Sequence, residues 1–335
     1  MNERPRLVLS VTVLLLFTIL HHPIFSQDRD RISEWCDGEG ITITFKETTL
    51  ENVLNIPPDS SSTAYLDAQG NLLKLCIIKE GLKKIELSTF PNLRSVDLTG
   101  NSFKTLSESK FPPAILELVL KQNQPLADAN LKQYPTLQYL DLSRTAVVGM
   151  STNDLPQALI SLNLRDCKKL TRLDLANFTE LVELDLSFCK LSEFKLLNAP
   201  KLQALRFQYS KFDIIDFNGL NTLPGLDLWD CNVSSIKLSG MPGLQSLMIT
   251  DNPRIKTIDV SGLAALQRFA YTQDKCDLTE VLLNPANKVY PNVAKIAFAR
   301  DGEKRLTTLE YFDSSGGYVD ITATEDGKSV TYAKK

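Results

Sequence analysis

The sequence predicts a one-piece curved solenoid built mostly from short parallel β-strands, with little helix. A single pattern, L-x-x-L-x-L-x-x-(N/C/S/T/D), recurs every 21 or 22 residues between Leu72 and Tyr271. Three positions of this pattern are apolar in all ten copies. A unit of this length cannot enclose its own apolar face, so it must stack on its neighbours.

The first element of each copy is predicted to be a short strand. The second leucine of the pattern is taken as the anchor, and the residue two positions later is also apolar in every copy. Because these two positions alternate with polar neighbours, the segment is expected to be a half-buried strand. The anchors are Leu75, Val96, Leu118, Leu140, Leu162, Leu184, Leu205, Leu226, Leu247 and Phe269.

A turn is predicted to follow each strand, five residues after the anchor. That column holds Glu80, Asn101, Asn123, Thr145, Cys167, Cys189, Ser210, Cys231, Asn252 and Asp274. With this column, about 200 residues of the chain resemble the leucine-rich-repeat family. The resemblance implies an α/β horseshoe fold in which these small polar or Cys side chains bond backbone groups from inside the stack.

The return segment of many copies carries a second pair of apolar residues, such as Leu173 with Leu175. Pro and Gly interrupt any helix there, so extended segments and tight turns are expected. The segments 126–134 and 150–158 lack this pair, and short helical turns are the expectation for them. The predicted solenoid spans residues 71–275.

The amino terminus is predicted to be a secretory signal peptide at residues 1–26. Arg4 and Arg6 precede an apolar run from Leu7 to Leu20, and Ser26 offers a small residue for cleavage before Gln27. An uncleaved signal anchor is the alternative, although the run is shorter than the roughly 20 residues of a spanning helix. No other stretch is long enough to cross a bilayer, so secretion is the expectation.

Both ends of the solenoid are expected to be capped. Residues 27–70 resemble the amino-terminal cap of extracellular leucine-rich-repeat proteins, with strands expected at Ile41–Phe45 and Ser62–Asp67. The segment Leu66–Asn71 is an alternative first rung, which leaves the strand register before Val96 open. Residues 276–335 are expected to form a degenerate repeat followed by a small antiparallel β-meander, or else to begin another domain.

The six cysteines do not suggest a simple disulfide framework. Caps of the family usually carry several cysteines, whereas this cap holds only Cys36, and its nearest candidate partner is Cys76. That pair is the preferred disulfide. Cys167, Cys189 and Cys231 are expected to be reduced, although adjacent rungs about 4.8 Å apart would bring Cys167 and Cys189 within bonding reach. Cys276 has no assigned partner.

Several chemistries are excluded by composition. Without residues 1–26, which hold Arg4, Arg6 and Glu3, the chain has 35 basic and 39 acidic residues and a formal charge of −4, which argues against a nucleic-acid partner. Both histidines, His21 and His22, lie in the signal segment, so His-dependent catalysis and His-containing zinc sites are excluded. No motif implies a metal or a cofactor. Asn177 and Asn232 begin N-glycosylation sequons.

The candidate ligand surface is the predicted concave face of the strands. Side chains one and two residues before the anchor, and one and three residues after it, point outward there. Large aromatic and Arg side chains are the usual energetic centres of protein interfaces, and an acidic row favours a cationic or hydrogen-bonding ligand. The candidate contact residues are Tyr139, Asp141, Arg165, Asp185, Arg206, Asp227 and Trp229.

The sequence therefore predicts a secreted, non-enzymatic recognition protein that binds a protein, peptide or glycan. A receptor ectodomain fragment and a structural or adhesive extracellular protein are the alternatives. A third alternative is an inverting glycoside hydrolase, because Asp141 and Asp185 lie two rungs apart, roughly 9 to 10 Å by strand spacing, at the upper edge of the separation that such enzymes use.

Overall fold

The computed structural model describes residues 27–211, 214–217, 220–238, 240–249, 251–260, 262–266, 268–270, 280–282, 320–323 and 329–333. Over these residues the chain is a β-solenoid of leucine-rich-repeat type, as the repeats predict. The predicted signal peptide, Cys276 and most of the predicted carboxy-terminal cap lie outside the described residues. None of the described helices is long and apolar enough to cross a membrane.

The main sheet has twelve strands, and strands are numbered β1 to β21 along the chain. Neighbouring strands are parallel except β2 and β3, which are antiparallel. In sheet order its strands are β1 Thr44–Glu47, β2 Thr63–Leu66, β3 Leu72–Cys76, β4 Ser95–Asp97, β5 Glu117–Val119, β6 Tyr139–Asp141, β8 Ser161–Asn163, β10 Glu183–Asp185, β12 Ala204–Arg206, β14 Gly225–Asp227, β16 Ser246–Met248 and β18 Arg268–Ala270.

All ten predicted anchors lie at equivalent positions of this sheet. Anchor pairs with anchor from Leu75 to Leu205 and from Leu226 to Phe269. Between the two blocks, Arg206 pairs with Asp227 and keeps the same register. The nine anchors from Leu75 to Leu247 are buried and belong to one continuous core that runs from Ile32 to Leu266.

The turn column forms the predicted internal ladder of hydrogen bonds. Asn123 is fully buried, and its Nδ2 donates to the carbonyl oxygens of Leu98 at 3.0 Å and Leu120 at 2.8 Å. The Sγ of Cys189 donates to Leu164 O at 3.1 Å, and the Oγ of Ser210 donates to Leu186 O at 2.6 Å. The ladder therefore satisfies carbonyl groups inside the stack, which are costly to leave unbonded.

The return side of the repeats carries further strands. The predicted extended return segments are confirmed in the carboxy-terminal half. These strands are β7 Gly149–Ser151, β9 Arg172–Ala176 and β11 Glu193–Leu197 in one parallel sheet, β13 Ile214–Asp216 with β15 Ser235–Lys237 in another, and β17 Thr257–Asp259, β19 Glu280–Leu282, β20 Asp320–Ala323 and β21 Ser329–Ala333 in a third. In the third, β19 pairs antiparallel with β21, and β21 pairs antiparallel with β20.

The prediction of a helical turn near Met150 is wrong. Residues Gly149–Ser151 form a strand that pairs with β9. Other copies have two apolar residues in the return segment, whereas this copy has only Met150, which is buried against the core. One inward side chain is therefore enough to keep this segment extended.

The amino-terminal cap contains a helix that the sequence pattern did not predict. Helix α1 spans Gln27–Glu39, and its Ile32 and Cys36 are completely buried in the core. The Oδ2 of Asp28 accepts a hydrogen bond from the amide of Leu72 at 3.0 Å, which joins the helix to the first parallel rung. Of the alternatives for the first rung, Leu66–Asn71 is wrong: Asp67–Asn71 is the turn between β2 and β3, held by hydrogen bonds to Asp67 Oδ1.

The predicted disulfide between Cys36 and Cys76 is not formed, and both residues are free thiols. Cys36 packs in the main core with Leu75, whereas Cys76 packs with Tyr65 and Ile78 in a separate cluster. Successive side chains of a strand point to opposite faces, so Leu75 and Cys76 cannot face the same neighbour. Cys167, Cys189 and Cys231 are free and buried, as expected.

Candidate functional site on the outer surface of the main sheet

The acidic row of the predicted ligand surface has a structural role at each turn. The Oδ1 atoms of Asp141, Asp185 and Asp227 each accept a hydrogen bond from the amide two residues later, at 2.7, 2.9 and 3.0 Å. Asn163 makes the same bond to Arg165 at 3.0 Å, so the turn does not require a charge. Short polar side chains commonly hold turns in this way. This role accounts for Asp141 and Asp185 without catalysis.

Four side chains on successive rungs form one continuous strip, which we call the aromatic strip: Arg165, Phe188, Tyr209 and Trp229. The Cζ of Arg165 lies 4.6 Å from the ring centroid of Phe188. Phe188 and Tyr209 stack with centroids 4.8 Å apart, and Tyr209 and Trp229 are 5.4 Å apart. Such cation–π and ring contacts hold the side chains in fixed positions.

Both ends of the strip are exposed, and at the amino-terminal end the side chain of Arg165 is 45% exposed. Trp229 and Tyr209 are 40% and 38% exposed. The Nε1 of Trp229 donates to Asp251 Oδ2 at 2.9 Å, which fixes the indole ring. Acidic groups flank the strip. The Oδ2 of Asp185 lies 3.9 Å from Nη1 of Arg165, and the Oδ2 of Asp227 accepts a hydrogen bond from Nε2 of Gln208. The strip is therefore a partly exposed, pre-ordered apolar surface.

Two rings of the strip stand on backbone that disfavours them. Phe188 and Tyr209 have φ angles of 63° and 59°. This left-handed conformation is unfavourable for bulky residues and suits Gly, Asn or Asp. In the same column of the repeat, φ is positive at residues of every size: Lys79, Gly100, Gln122, Arg144, Asp166, Asp230 and Asp251. The turn therefore accepts large side chains as well as small ones, so it does not by itself account for the two rings.

The other predicted contact residues lie apart from the strip's rings. Arg206 is exposed on β12, in register with Asp227. Tyr139 and Asp141 are half-buried on β6 and line a separate cavity. The seven predicted residues therefore divide between two areas of the same surface.

That cavity, which we call the N-terminal pocket, lies between the segment 54–60 and the first rungs of the main sheet. Its volume is about 590 Å³. The side chains lining it from the segment are Leu54, Ile56, Pro58, Asp59 and Ser60, and those from the rungs include Lys74, Ile78, Lys79, Asp97, Thr99, Glu117, Val119, Lys121, Tyr139, Asp141, Ser161 and Asn163.

A buried ion pair attaches the segment to the sheet. The side chain of Lys74 is 5% exposed, and its Nζ lies 3.4 Å from Glu117 Oε2. The same Nζ donates to the carbonyl oxygen of Ile56 at 3.4 Å, and the Oγ of Ser95 donates to Glu117 Oε2. Breaking a buried pair leaves an uncompensated charge, which is strongly unfavourable. Lys74 therefore holds one wall of the pocket in place.

A second group of charges fixes the outer end of the segment. Asp59 accepts hydrogen bonds from the Nζ of Lys46 at 3.2 Å and from the hydroxyl of Tyr65. Burial alone would raise the pKa of Asp59, but these hydrogen bonds outweigh it and lower that pKa. Asp59 is therefore held as a carboxylate whose charge is already matched by Lys46.

Asp97 is the buried carboxylate of the pocket that has no ion-pair partner. Asp97 is 6% exposed, and its Oδ1 accepts hydrogen bonds from the amide and hydroxyl of Thr99 at 2.9 and 2.6 Å. Among the described residues, no Lys or Arg lies within 4.0 Å of it. Burial raises the pKa of Asp97, although the Thr99 hydrogen bonds and the charge of Lys74 oppose that shift.

Sequence reasoning did not select Lys74, Asp97 or the segment 54–60. A signal for Lys74 was present, because it is the one charged residue in the strand Leu72–Cys76 and all five residues are buried. No comparable signal marks the segment. It belongs to the connection between the parallel strands β1 and β2, which no repeat pattern encodes.

Comparisons with known proteins concern the fold. No family model and no curated protein sequence matches the chain. The functional domain of InlJ from Listeria monocytogenes, described as including a cysteine ladder, is 16% identical, with 78% of this chain and 84% of that chain covered and a TM-score of 0.46. YopM from Yersinia enterocolitica is 21% identical, with 57% of each chain covered and a TM-score of 0.26. A leucine-rich-repeat protein from Leptospira interrogans is 18% identical, with 72% and 78% covered and a TM-score of 0.25.

None of these comparisons indicates an enzyme family. Within the described residues, no group of three or more His, Cys, Asp or Glu side chains is arranged to hold a metal ion. The ten anchors in register, the internal ladder of Asn and Cys and the parallel main sheet together make this chain a leucine-rich-repeat protein in its fold.

Proposed function

We propose that this chain is a secreted recognition protein that binds a protein or peptide through the aromatic strip. The observation that carries the proposal is the exposure of Tyr209 and Trp229 on adjacent rungs, in contact with each other and with Phe188. Exposed Trp, Tyr and Arg side chains dominate the binding energy of protein interfaces. Because the strip is already ordered, less conformational entropy is lost on binding.

The geometry of the strip favours a polypeptide over a glycan. The rings of Phe188 and Tyr209 are nearly parallel, with an interplanar angle of 17°. Each ring therefore covers a face of the other, and a sugar ring would have few free faces on which to stack. Ring edges, the tyrosine hydroxyl and the guanidinium of Arg165 remain for contacts of the mixed kind that protein partners make.

Affinity capture from the native extracellular fluid tests this function, with three baits run in parallel. The first bait is the wild-type chain, the second is Trp229→Ala, and the third is Leu197→Ala. Leu197 is 42% exposed on β11, in the sheet on the opposite side of the core. It is a matched control because it also removes a large exposed apolar side chain.

The expected partner is retained by the wild type and by Leu197→Ala and is lost with Trp229→Ala. For the purified pair, Trp229→Ala should weaken binding by about 2 kcal/mol, or roughly thirtyfold, without change in the circular dichroism spectrum. If the affinity of every captured partner were the same for Trp229→Ala and the wild type, the strip would not be the binding centre. The adhesive alternative would then be favoured.

Secretion is part of the proposal and has a separate test. Mass spectrometry of the exported chain should find Gln27 as its first residue, because residues 1–26 have the features of a cleaved signal peptide. In a eukaryotic secretory route, a glycan is expected at Asn177, which is exposed, rather than at the half-buried Asn232. A chain that retains residues 1–26 in the membrane fraction would point to a signal anchor instead.

A further inference from the structure

The N-terminal pocket contains a charge that the fold does not neutralise. Glu117 is paired with Lys74, and Asp59 is paired with Lys46. Asp97 is more deeply buried than either of these carboxylates but is bonded only to the neutral Thr99. A buried carboxylate without an ion pair is unfavourable, so the carboxylate of Asp97 would be stabilised by a cationic partner in the pocket.

One oxygen of Asp97 remains available for a ligand. Both hydrogen bonds from Thr99 go to Oδ1, and Oδ2 accepts none from the part of the chain that the structure describes. Asp97 lines the cavity. A positively charged donor would give the short, strong hydrogen bond that a carboxylate makes with a cation.

Polar residues make up most of the remaining lining, but its apolar residues can cover an aliphatic chain that leads to Asp97. Ile56 and Pro58 line one wall, and Ile78 and Val119 lie on the facing rungs. A flexible hydrocarbon stem buries its methylene groups along such walls while its charged head stays with polar groups. The cavity volume of about 590 Å³ is ample for one such chain.

We propose that the N-terminal pocket binds the cationic end of an aliphatic chain, an alkylammonium or guanidinium group, with Asp97 Oδ2 as its main acceptor. Asp141 lines the same cavity and adds to the negative potential, whereas the charge of Glu117 is matched by Lys74. Two sources share this chemistry: a Lys or Arg side chain of a polypeptide partner, and a free alkyl amine. Only the first source rests on the proposed function.

The mouth of the pocket favours the polypeptide source. Lys79 and Lys121 are exposed there. The stem of Lys79 is held across the turn at Gly100, where a Cβ atom would approach Lys79 Cγ to 2.7 Å. Ammonium groups at the mouth would donate to the backbone carbonyl oxygens that flank a basic side chain. A free diamine would place a second cation near these lysines.

Isothermal titration calorimetry on the whole chain tests the proposal with three probes. Nα-acetyl-lysine methylamide represents a side chain, and 1,5-diaminopentane represents a free amine. Nα-acetylnorleucine methylamide is the neutral control, because it keeps the stem and lacks the ammonium group. The lysine probe is expected to bind at least about tenfold more tightly than the norleucine probe. Tighter binding of the lysine probe than of the diamine would identify the polypeptide source, and the reverse order would identify the free amine.

Two variants complete the test. Asp97→Asn keeps an oxygen for the Thr99 hydrogen bonds and removes the charge, so it is expected to weaken the lysine probe about tenfold. Asp154→Asn removes a carboxylate that likewise accepts from an amide and a hydroxyl, those of Ser151, but Asp154 lies outside the pocket and the aromatic strip, so the affinity is expected to stay at the wild-type value. No binding by the wild type, equal binding of the norleucine probe, or full binding by Asp97→Asn would each overturn the proposal.

The two proposals fail independently. Trp229→Ala leaves the N-terminal pocket intact, so it should bind the lysine probe as the wild type does. Loss of a captured protein with Trp229→Ala therefore reports on the aromatic strip, whereas calorimetry with Asp97→Asn reports on the pocket.

Discussion

At the scale of single residues, the burial of Asp97 without an ion-pair partner affects stability as well as binding. The pKa of Asp97 is raised from its ordinary value of 3.8, chiefly by burial. The groups around it are Lys74 and Glu117 on the neighbouring strands, and the thiol of Cys76. The folded chain therefore holds this proton more tightly than the unfolded chain does. The stability linked to it is complete below the unfolded pKa and is lost as the pH rises through the raised folded pKa.

Asp97→Asn is therefore expected to be more stable than the wild type near neutral pH. The variant keeps the acceptor for Thr99 and has no charge to bury. In urea unfolding, its midpoint should lie above that of the wild type at about pH 7, and the difference should shrink when the pH falls below the ordinary carboxyl pKa. A midpoint below the wild-type value at neutral pH would mean that the Asp97 charge is stabilising. A gain in stability with a loss of affinity for the lysine probe is typical of a residue retained for binding.

The five described thiols give a second prediction at this scale. All are free and buried, and burial raises the pKa of Cys36 and of Cys76 to about 12. The thiolate is the reactive form, so these groups should be inert in the folded chain. A thiol reagent at neutral pH is expected to modify none of the five until urea unfolds the protein. Rapid modification of any of them in native buffer would contradict the burial.

At the scale of elements, the hydrogen-bond ladder of the turn column connects neighbouring rungs through side chains, in addition to the backbone pairing of the strands. Asn123 donates to two carbonyl oxygens, and its Oδ1 accepts from the amide of Phe103 at 3.3 Å. Removing the side chain leaves the buried amide of Phe103 without its acceptor. Each of the two carbonyl oxygens loses one donor, although Leu98 O keeps the Nδ2 of Asn101 and Leu120 O keeps the amide of residue 123. Cys167 at the equivalent position donates to a single carbonyl, Leu142 O. Asparagine is therefore expected to stabilise this turn more than cysteine does.

Asn123→Ala is expected to lower the free energy of unfolding by about 2 to 3 kcal/mol, because unsatisfied buried groups cost that much. Asn123→Cys is the matched variant, since the chain itself uses Cys in this column, and it should cost less. Urea unfolding of both variants measures the difference. Equal losses would show that the hydrogen bonds to Leu98 and Leu120 contribute little.

The secondary-structure elements differ in how far the sequence could predict them. The ten anchor strands were predictable because each buries its own repeat of apolar residues against identical neighbours. Helix α1 was not, because Ile32, Trp35 and Cys36 are its only large apolar residues, and the end of the solenoid supplies the surface that buries them. Of the aromatic strip, Arg165 and Trp229 were predicted from the strand columns. Phe188 and Tyr209 were missed because they stand in the turn, where a positive φ brings their rings to the same surface.

At the scale of the whole molecule, one core connects all the described rungs. A repeat that contacts only its neighbours gains most of its stability from its interfaces, so a defect in one rung weakens both sides. Leu186 follows the central strand β10 and is completely buried. Leu186→Ala is expected to cost about 2 to 5 kcal/mol, the range for a buried leucine. An unchanged thermal melt would contradict its place in the core.

The two tryptophans report on whether the solenoid unfolds as one unit. Trp35 packs against the core from helix α1, and Trp229 lies in the aromatic strip. In Trp35→Phe only Trp229 remains as a fluorescent reporter, and in Trp229→Phe only Trp35 remains. If the continuous core makes unfolding cooperative, the reporter in each variant should change over the same urea range as the circular dichroism of that variant. Adding Leu186→Ala, which lies between the reporters, should then shift both transitions by similar amounts. A shift confined to one reporter would mean that the solenoid contains two units that unfold separately, and the aromatic strip and the N-terminal pocket would then belong to different units.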